Sequence, residues 1–196
     1  MLVRWGLIPA WVRDPRQFAL LINARSESAI EKASFKAAMR HRRALIPASG
    51  FYEWKRAGTK LAQPYWVRPK AGGLVAFAAL VETYAEPGGS EIDTGAIMTT
   101  AASGVIAEIH DRAPLVIAPG DFARWLDCRG QEPRGVSDLM RPAEPDFFEA
   151  VPVSDMVNKV ANVGPGLQEP VEHAGGETAA SARRQKPVAE GQMSLF

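Results

Sequence analysis

Apolar and polar positions change their spacing several times along this chain, and each change predicts a different element. The opening MLVRWGLIPAW brings Trp5, Leu7, Ile8 and Trp11 together at once. It reads as a strand followed by a turn at Pro9, one that needs partners on both sides to satisfy its backbone and cover its rings. SFKAAMRHRR puts Phe35, Ala38, Met39 and Arg42 on one side of a short helix, with Ser34 as its N-cap. A β-rich middle follows. RALIP, FYEWKR, PYWVRP and LVAFAALVETY are short runs of β-branched and aromatic residues, punctuated by Gly50, Gly58, Gly72 and Gly73. The stretch from Leu74 to Val81 is apolar on both parities, which predicts a central strand buried on both faces. EIDTGAIMTTAA predicts another strand after the turn signal EPGGS, and PGDFARWL sets Phe122, Trp125 and Leu126 at helical spacing. Together these predict an α+β fold: an antiparallel, partly closed, β-barrel-like sheet with short peripheral helices.

From about Val171 the pattern fades into Ala, Gly, Glu, Arg and Gln, so residues 1–170 are expected to form one domain and 171–196 a disordered tail. The 196 residues are 46% hydrophobic and 23% charged, enough for one sizeable core, and no internal repeat marks a solenoid or propeller. No window is long and apolar enough to cross a bilayer, and Arg and Asp interrupt residues 1–25 where a signal sequence would need an apolar run. The expectation is a cytoplasmic, nucleoid-associated monomer with no membrane partner. One cysteine, Cys128, allows no internal disulfide and no zinc pair, so neither a metal nor a cofactor is expected. The net charge of +1 hides an asymmetry: residues 1–60 hold 12 Lys and Arg against 4 Asp and Glu. That suggests a positive face for a polyanion, although solvated helix-face charge, as in KAAMRHRR, explains it equally well.

Polar residues set among apolar ones single out the candidate chemistry. Asn23 and Arg25 lie in LLINARSE, Glu53 in SGFYEWKR, and His110, Asp111 and Arg112 in IHDRAPLVI. Each has a structural reading as well. Glu53, alternating with Tyr52 and Trp54, can simply face water; His110 can cap a preceding helix; HDR can be a local ion pair. The conjunction argues for a site. Guanidinium groups clamp phosphate, an amide fixes a polar ligand, and a Glu with a His divides acid and base work.

RWGLIPAW, INARSE, PASGFYEWKR, MTTAA and IHDRAPLVI resemble, in order and approximate spacing, the motifs of the SRAP family, the SOS-response-associated peptidases that shield abasic sites in single-stranded DNA. The resemblance runs from Arg4 to about Pro170. It implies a covalent shield: the α-amine of an N-terminal cysteine condenses with the aldehyde of the opened sugar, losing water. Its thiol then adds to the imine to close a thiazolidine. Carried over by motif, Asn23 and Arg25 resemble the residues that hold the abasic nucleotide and its phosphate, Glu53 the carboxylate near the amine, and His110 the acid/base that assists sugar opening. Arg112 and Thr99 resemble further backbone contacts, and Trp5 and Trp54 aromatic walls. Single-stranded DNA suits such a set, because it offers π-faces and charge rather than a groove.

The family's opening segment, beginning Met-Cys-Gly-Arg and supplying the nucleophile, has no counterpart in these residues, and the expectation is a start codon further upstream. Cys128, inside WLDCRG, has no free α-amine to replace it. Two alternatives stay open: a truncated relative that binds single strands without crosslinking, and a peptidase or other hydrolase using Glu53, His110 and Asp111. No HExxH or GxSxG supports the hydrolase. The final QMSLF resembles the peptide by which bacterial proteins dock on the sliding clamp, with Gln192, Leu195 and Phe196 as anchors on a flexible tether.

Overall fold

The doubly apolar run around residues 74–81 becomes the strand that the rest of the fold is built on. In this computed structural model, which describes residues 2–56, 62–86 and 88–171, nine strands follow in chain order. They are β1 Arg4–Trp5, β2 Asn23–Arg25, β3 Arg43–Ala48, β4 Phe51–Lys55, β5 Gln63–Pro69, β6 Val75–Ala85, β7 Glu91–Ala101, β8 Arg112–Pro114 and β9 Phe148–Pro152. Four short helices lie among them: α1 Ser26–Ala29, α2 Ala33–His41, α3 Gly104–Ala107 and α4 Phe122–Leu126. The fold is α+β, as the pattern predicts.

β6 pairs antiparallel with β3 on one edge and with β7 on the other, and its two faces are both covered, Ala78 and Leu80 in one core and Val75 and Phe77 in another. β7 is the hub. Its Thr94 and Gly95 pair with β6 and also with Arg4 and Trp5 of β1, which places β1 on the opposite edge. β2 continues that edge along Ile97 to Thr99, while β8 takes the end of β7 beyond the reach of β6. Both β1 and β2 run parallel to β7, an exception to the antiparallel pairing that the sequence predicts and the other pairs of this sheet follow. The chain between them loops back and re-enters the same edge in the same direction. The buried Thr94 hydroxyl fastens this loop by accepting the Ile8 backbone N–H at 2.9 Å and donating to the Glu82 carbonyl at 3.1 Å.

A second sheet, β4-β5-β9, is wholly antiparallel. Phe51, Tyr65, Val67 and Phe148 from it meet Phe77 and Ile97 of the first sheet in one apolar layer. The other face of the first sheet presents Ala24, Ala78, Leu80, Ala96 and Met98 to Phe35, Ala38 and Met39 of α2 and Trp125 of α4. The two sheets thus sandwich one core while helices close a second.

The α2 helix begins earlier than its sequence suggests: Lys32, not Ser34, is the N-cap, since the Lys32 carbonyl accepts the Phe35 and Lys36 amides. Arg42 falls outside the helix as its C-cap and pairs with Asp93 at 3.0 Å. In α4 the apolar stripe narrows to Phe122, partly buried against the core, and Trp125, fully buried and donating its indole N–H to the Ala44 carbonyl at 2.9 Å. Leu126, at the end of this five-residue helix, is exposed.

Part of the basic excess is structural. Arg43 is buried, and its guanidinium donates to the carbonyls of Met39, Trp125, Asp127 and Gln131 at 2.7–3.1 Å while lying over the Trp125 ring. Burial pushes its pKa down. Arg40 pairs with Glu132 and Arg16 with Asp14. Among the described residues no helix is long and apolar enough to cross a membrane.

Candidate functional site

Strand alternation decides which candidates share a surface. Ala24 is buried against the helix-covered face, so Asn23 and Arg25 point to the other side of the first sheet. Their partners across the parallel ladder are Ile97 and Thr99, and Ile97 belongs to the layer between the sheets. On the second sheet Phe51 enters that same layer, so Glu53, two residues on, faces inward beside its cross-strand neighbour Tyr65. Asn23, Arg25 and Thr99 therefore lie on the face of the first sheet that looks toward the second, and Glu53 on the face of the second that looks toward the first. Trp5, opposite Gly95 on β1, lies on the same side of the first sheet and is 53% exposed.

Trp54 has the opposite parity. It shares a face of β4 with Tyr52, whose ring packs at 4.9 Å from Trp66, and its indole N–H donates to Asn158 Oδ1 at 2.8 Å. Glu53 and Trp54 thus look to opposite sides of their strand. The Glu53 carboxylate accepts the Trp54 backbone N–H at 3.1 Å. Gly50 permits the tight approach of β4 to β5, since a Cβ there would stand 2.3 Å from the Val67 carbonyl oxygen. Burial raises the pKa of Tyr65, and the Glu108 charge adds to the effect.

His110 and Arg112 flank the end of this surface. Their segment leaves α3 as the Ile106 carbonyl accepts the His110 amide at 2.9 Å, then enters β8. The Arg112 backbone N–H donates to His110 Nδ1 at 3.0 Å. With Nδ1 accepting, the neutral ring carries its proton on Nε2. Asp111 Oδ1 lies 3.2 Å from the same Nδ1, and the side-chain contact within HDR is confined to these two residues.

Arg112 turns elsewhere. Its guanidinium donates to Thr99 O at 2.6 Å and reaches Glu27 through two bonds, Nη1 to Oε1 at 2.7 Å and Nη2 to Oε2 at 2.9 Å. This bidentate contact holds the Glu27 carboxyl below its ordinary pKa. Glu27 and Asn158 are not among the residues singled out in sequence. Glu27 had a signal: it follows Arg25 by two residues in NARSE, at a helix start where acidic residues are common and unremarked. Asn158 had none, lying more than a hundred residues from Trp54.

The remaining assignments separate clearly. Cys128 lies at the end of α4, where its Sγ accepts the Arg43 amide at 3.4 Å. Gln192, Leu195 and Phe196 lie outside the described residues, as does nearly all of the predicted tail. No group of three or more His, Cys, Asp or Glu side chains among the described residues is placed to hold a metal. Two surface clefts, one around Asp121, Arg141 and Phe147 and one around Trp66, Arg68 and Lys70, include none of the candidate residues.

The backbone is similar to that of several crystallised proteins. A protein from Bacteroides thetaiotaomicron superposes with a TM-score of 0.77 at 23% identity, covering 86% of this chain and 75% of its own. A second, from Bordetella bronchiseptica, gives 0.69 at 25% identity, covering 78% and 76%. These define the fold. The SRAP family model, described as SOS response associated peptidase, matches residues 1–160, and the chain belongs to that family. Among its curated relatives, "Abasic site processing protein YoqW" of Bacillus subtilis is 38% identical over 85% of this chain and 75% of its own length. "Abasic site processing protein YedK" of Escherichia coli is 36% identical over 86% and 74%. "Abasic site processing protein HMCES" of Gallus gallus is 33% identical, with 87% of this chain matching 57% of that longer protein.

Proposed function

We propose that this protein recognises and shields abasic sites in single-stranded DNA. The observation that carries the reading is the shared surface of Asn23, Arg25, Thr99 and Glu53, with Trp5 exposed on the same side and His110 fixed at its end. The relatives' names, all abasic site processing proteins, support it.

In this reading Arg25 takes a phosphate beside the lesion and Trp5 stacks on a neighbouring base. Thr99 and Arg112 contact the backbone next to it. Trp54, on the opposite face of β4 and bonded to Asn158, takes no part in this surface. Asn23 donates its amide N–H to the ring oxygen of the sugar, which in an abasic nucleotide no base screens. The charged His110 ring delivers its Nε2 proton to the sugar's ring oxygen as the C1 hydroxyl gives up its own proton to water and the sugar opens to its aldehyde, and Glu53 accepts a proton from an attacking amine.

The covalent step asks for an amine and a thiol on one residue. Cys128 cannot provide both, being internal and held against the Arg43 amide. The step is therefore tested in a form of the chain whose first residue is a cysteine, carried on the upstream residues of a family member. There Glu53→Gln and His110→Ala are expected to slow adduct formation on abasic single strands by roughly 100-fold, the usual scale for removing a general acid or base. Melting temperatures should be unchanged. Wild-type rates with lowered melting temperatures would make both residues structural and contradict the assignment.

Docking of Gln192, Leu195 and Phe196 on the sliding clamp completes the proposal. A fusion of residues 171–196 to an inert carrier is expected to bind the purified clamp, and to lose binding on Phe196→Ala.

A further inference from the structure

Arg112 stands apart from the other cations of the proposed site because its charge is already matched. A guanidinium presents two edges to an oxyanion, Nε with one Nη and the two Nη groups together. Here the Nε edge is closed: Arg112 Nε is buried and has no hydrogen-bond partner among the described residues. The other edge is filled by the Glu27 carboxylate, through Nη1 and Nη2 at 2.7 and 2.9 Å. A phosphate that approaches Arg112 can therefore bind it in a bidentate way only along the edge that Glu27 holds.

We infer that Glu27 is an internal competitor of DNA phosphate, a carboxylate that occupies the Arg112 fork in the free protein and sets how strongly this end of the site holds a strand. The geometry makes exchange feasible. Arg112 is anchored independently by the Thr99 carbonyl at 2.6 Å, so its guanidinium stays in place when Glu27 leaves. Glu27 is the mobile partner: its side chain is 53% exposed, against 20% for Arg112, and it needs only a rotamer change to swing into water. It also follows Arg25 by two residues, so a strand whose phosphate sits on Arg25 brings the neighbouring phosphate toward the pair. Carboxylate and phosphodiester offer the same two-oxygen geometry, and the exchange swaps one charge-assisted pair for another.

The effect is on selectivity. A neutral Arg112–Glu27 pair adds little to the general attraction of single strands, whereas a free Arg112 would add one phosphate contact to any sequence. Glu27 thus lowers binding to undamaged DNA relative to a ligand that also engages Asn23 and Glu53.

The inference rests on the reading of this surface as a single-strand site, and the experiment separates the two. Affinity of the 196-residue chain for an oligothymidylate is measured across salt concentrations for wild type, Glu27→Gln, Glu31→Gln and the double variant Glu27→Gln/Arg112→Gln. Glu31, four residues on and just past the end of α1, pairs with Arg134 and controls for loss of any nearby negative charge. Competition requires Glu27→Gln to bind more tightly, by up to about fivefold, the strength of an exposed pair. Its salt slope should steepen by up to about 0.7, one single-strand contact. Glu31→Gln should match wild type, and the added Arg112→Gln should abolish the gain. A gain equal in Glu31→Gln, or one that survives Arg112→Gln, would overturn the inference by assigning it to general charge. Unchanged or weaker binding in a Glu27→Gln protein with wild-type circular dichroism would make Glu27 a fixed structural partner. Should Glu27→Gln fail to fold, Glu27→Asp, which shortens the reach to Arg112, must show the same gain. No binding by wild type at any salt would instead defeat the single-strand reading itself.

Discussion

Arg25 and Thr99 stand opposite each other on β2 and β7, two strands that run in the same direction. Arg25 is an exposed cation at the end of its strand, and Thr99 is tied through its carbonyl to Arg112. This pairing joins NARSE to MTTAA, motifs far apart in the chain. It also fixes the direction in which Arg25 leaves the sheet.

If Arg25 meets phosphate from this position, Arg25→Ala weakens single-strand binding and flattens its salt slope by about 0.7, one contact. Titrations at several salt concentrations measure both quantities. An unchanged slope would return Arg25 to the solvated surface.

Trp5 is expected to behave differently. Trp5→Ala should weaken binding by roughly 1 to 3 kcal/mol while leaving the salt slope alone, because stacking releases no counterions. A change in slope equal to that of Arg25→Ala would mean that the substitution disturbs the sheet edge. Fluorescence anisotropy with a labelled oligonucleotide distinguishes the two.

Arg43 illustrates how the same residue type serves the fold. Its guanidinium satisfies four carbonyls where α2, α4 and the following loop converge. Arg43→Met leaves those acceptors without a donor and should cost about 3 kcal/mol or more in urea unfolding. Because the loss is internal, added salt should not reduce it as it would for an exposed pair.

Gly104 opens α3, the helix that carries the chain to His110. Its φ is +53°, and a Cβ there would stand 1.8 Å from the Pro145 carbonyl oxygen. Gly104→Ala should destabilise by about 2 kcal/mol or more and displace the 104–110 segment, which chemical-shift changes at His110 would report.

Acid sensitivity follows from Asp93. The Thr83 hydroxyl, donating at 2.6 Å, and then the Arg42 charge hold its carboxyl below the ordinary 3.8. The folded protein thus gives up this proton more readily than the unfolded chain, and the contribution is complete above the unfolded value. It is lost as pH falls through the lower folded one. Asp93→Asn should therefore flatten the fall of melting temperature below about pH 4. A fall as steep as that of wild type would assign acid unfolding to other carboxylates.

Much of this arrangement was legible in the chain. The doubly apolar run marked β6, because burial on both faces leaves no polar parity, and the punctuated aromatic runs marked β3, β4 and β5. The parallel attachment of β1 and β2 was not legible, since alternation reports which face is buried and carries no information on strand direction. Within the proposed site, Asn23, Arg25 and Glu53 stand out in sequence as polar residues among apolar ones. That Glu53 and Trp54 face apart follows from period-two alternation, while the capture of Arg112 by Glu27 depends on a contact across 85 residues. Long-range pairs of common surface charges leave no pattern to read.

The most direct test of the central claim compares two single strands of equal length and sequence, one intact and one carrying a tetrahydrofuran abasic analogue, which has no aldehyde for stray amines to attack. The account predicts tighter binding to the abasic strand, with Asn23→Ala removing the preference and Arg25→Ala weakening both strands alike. Equal affinity of the wild-type protein for the two strands would contradict it.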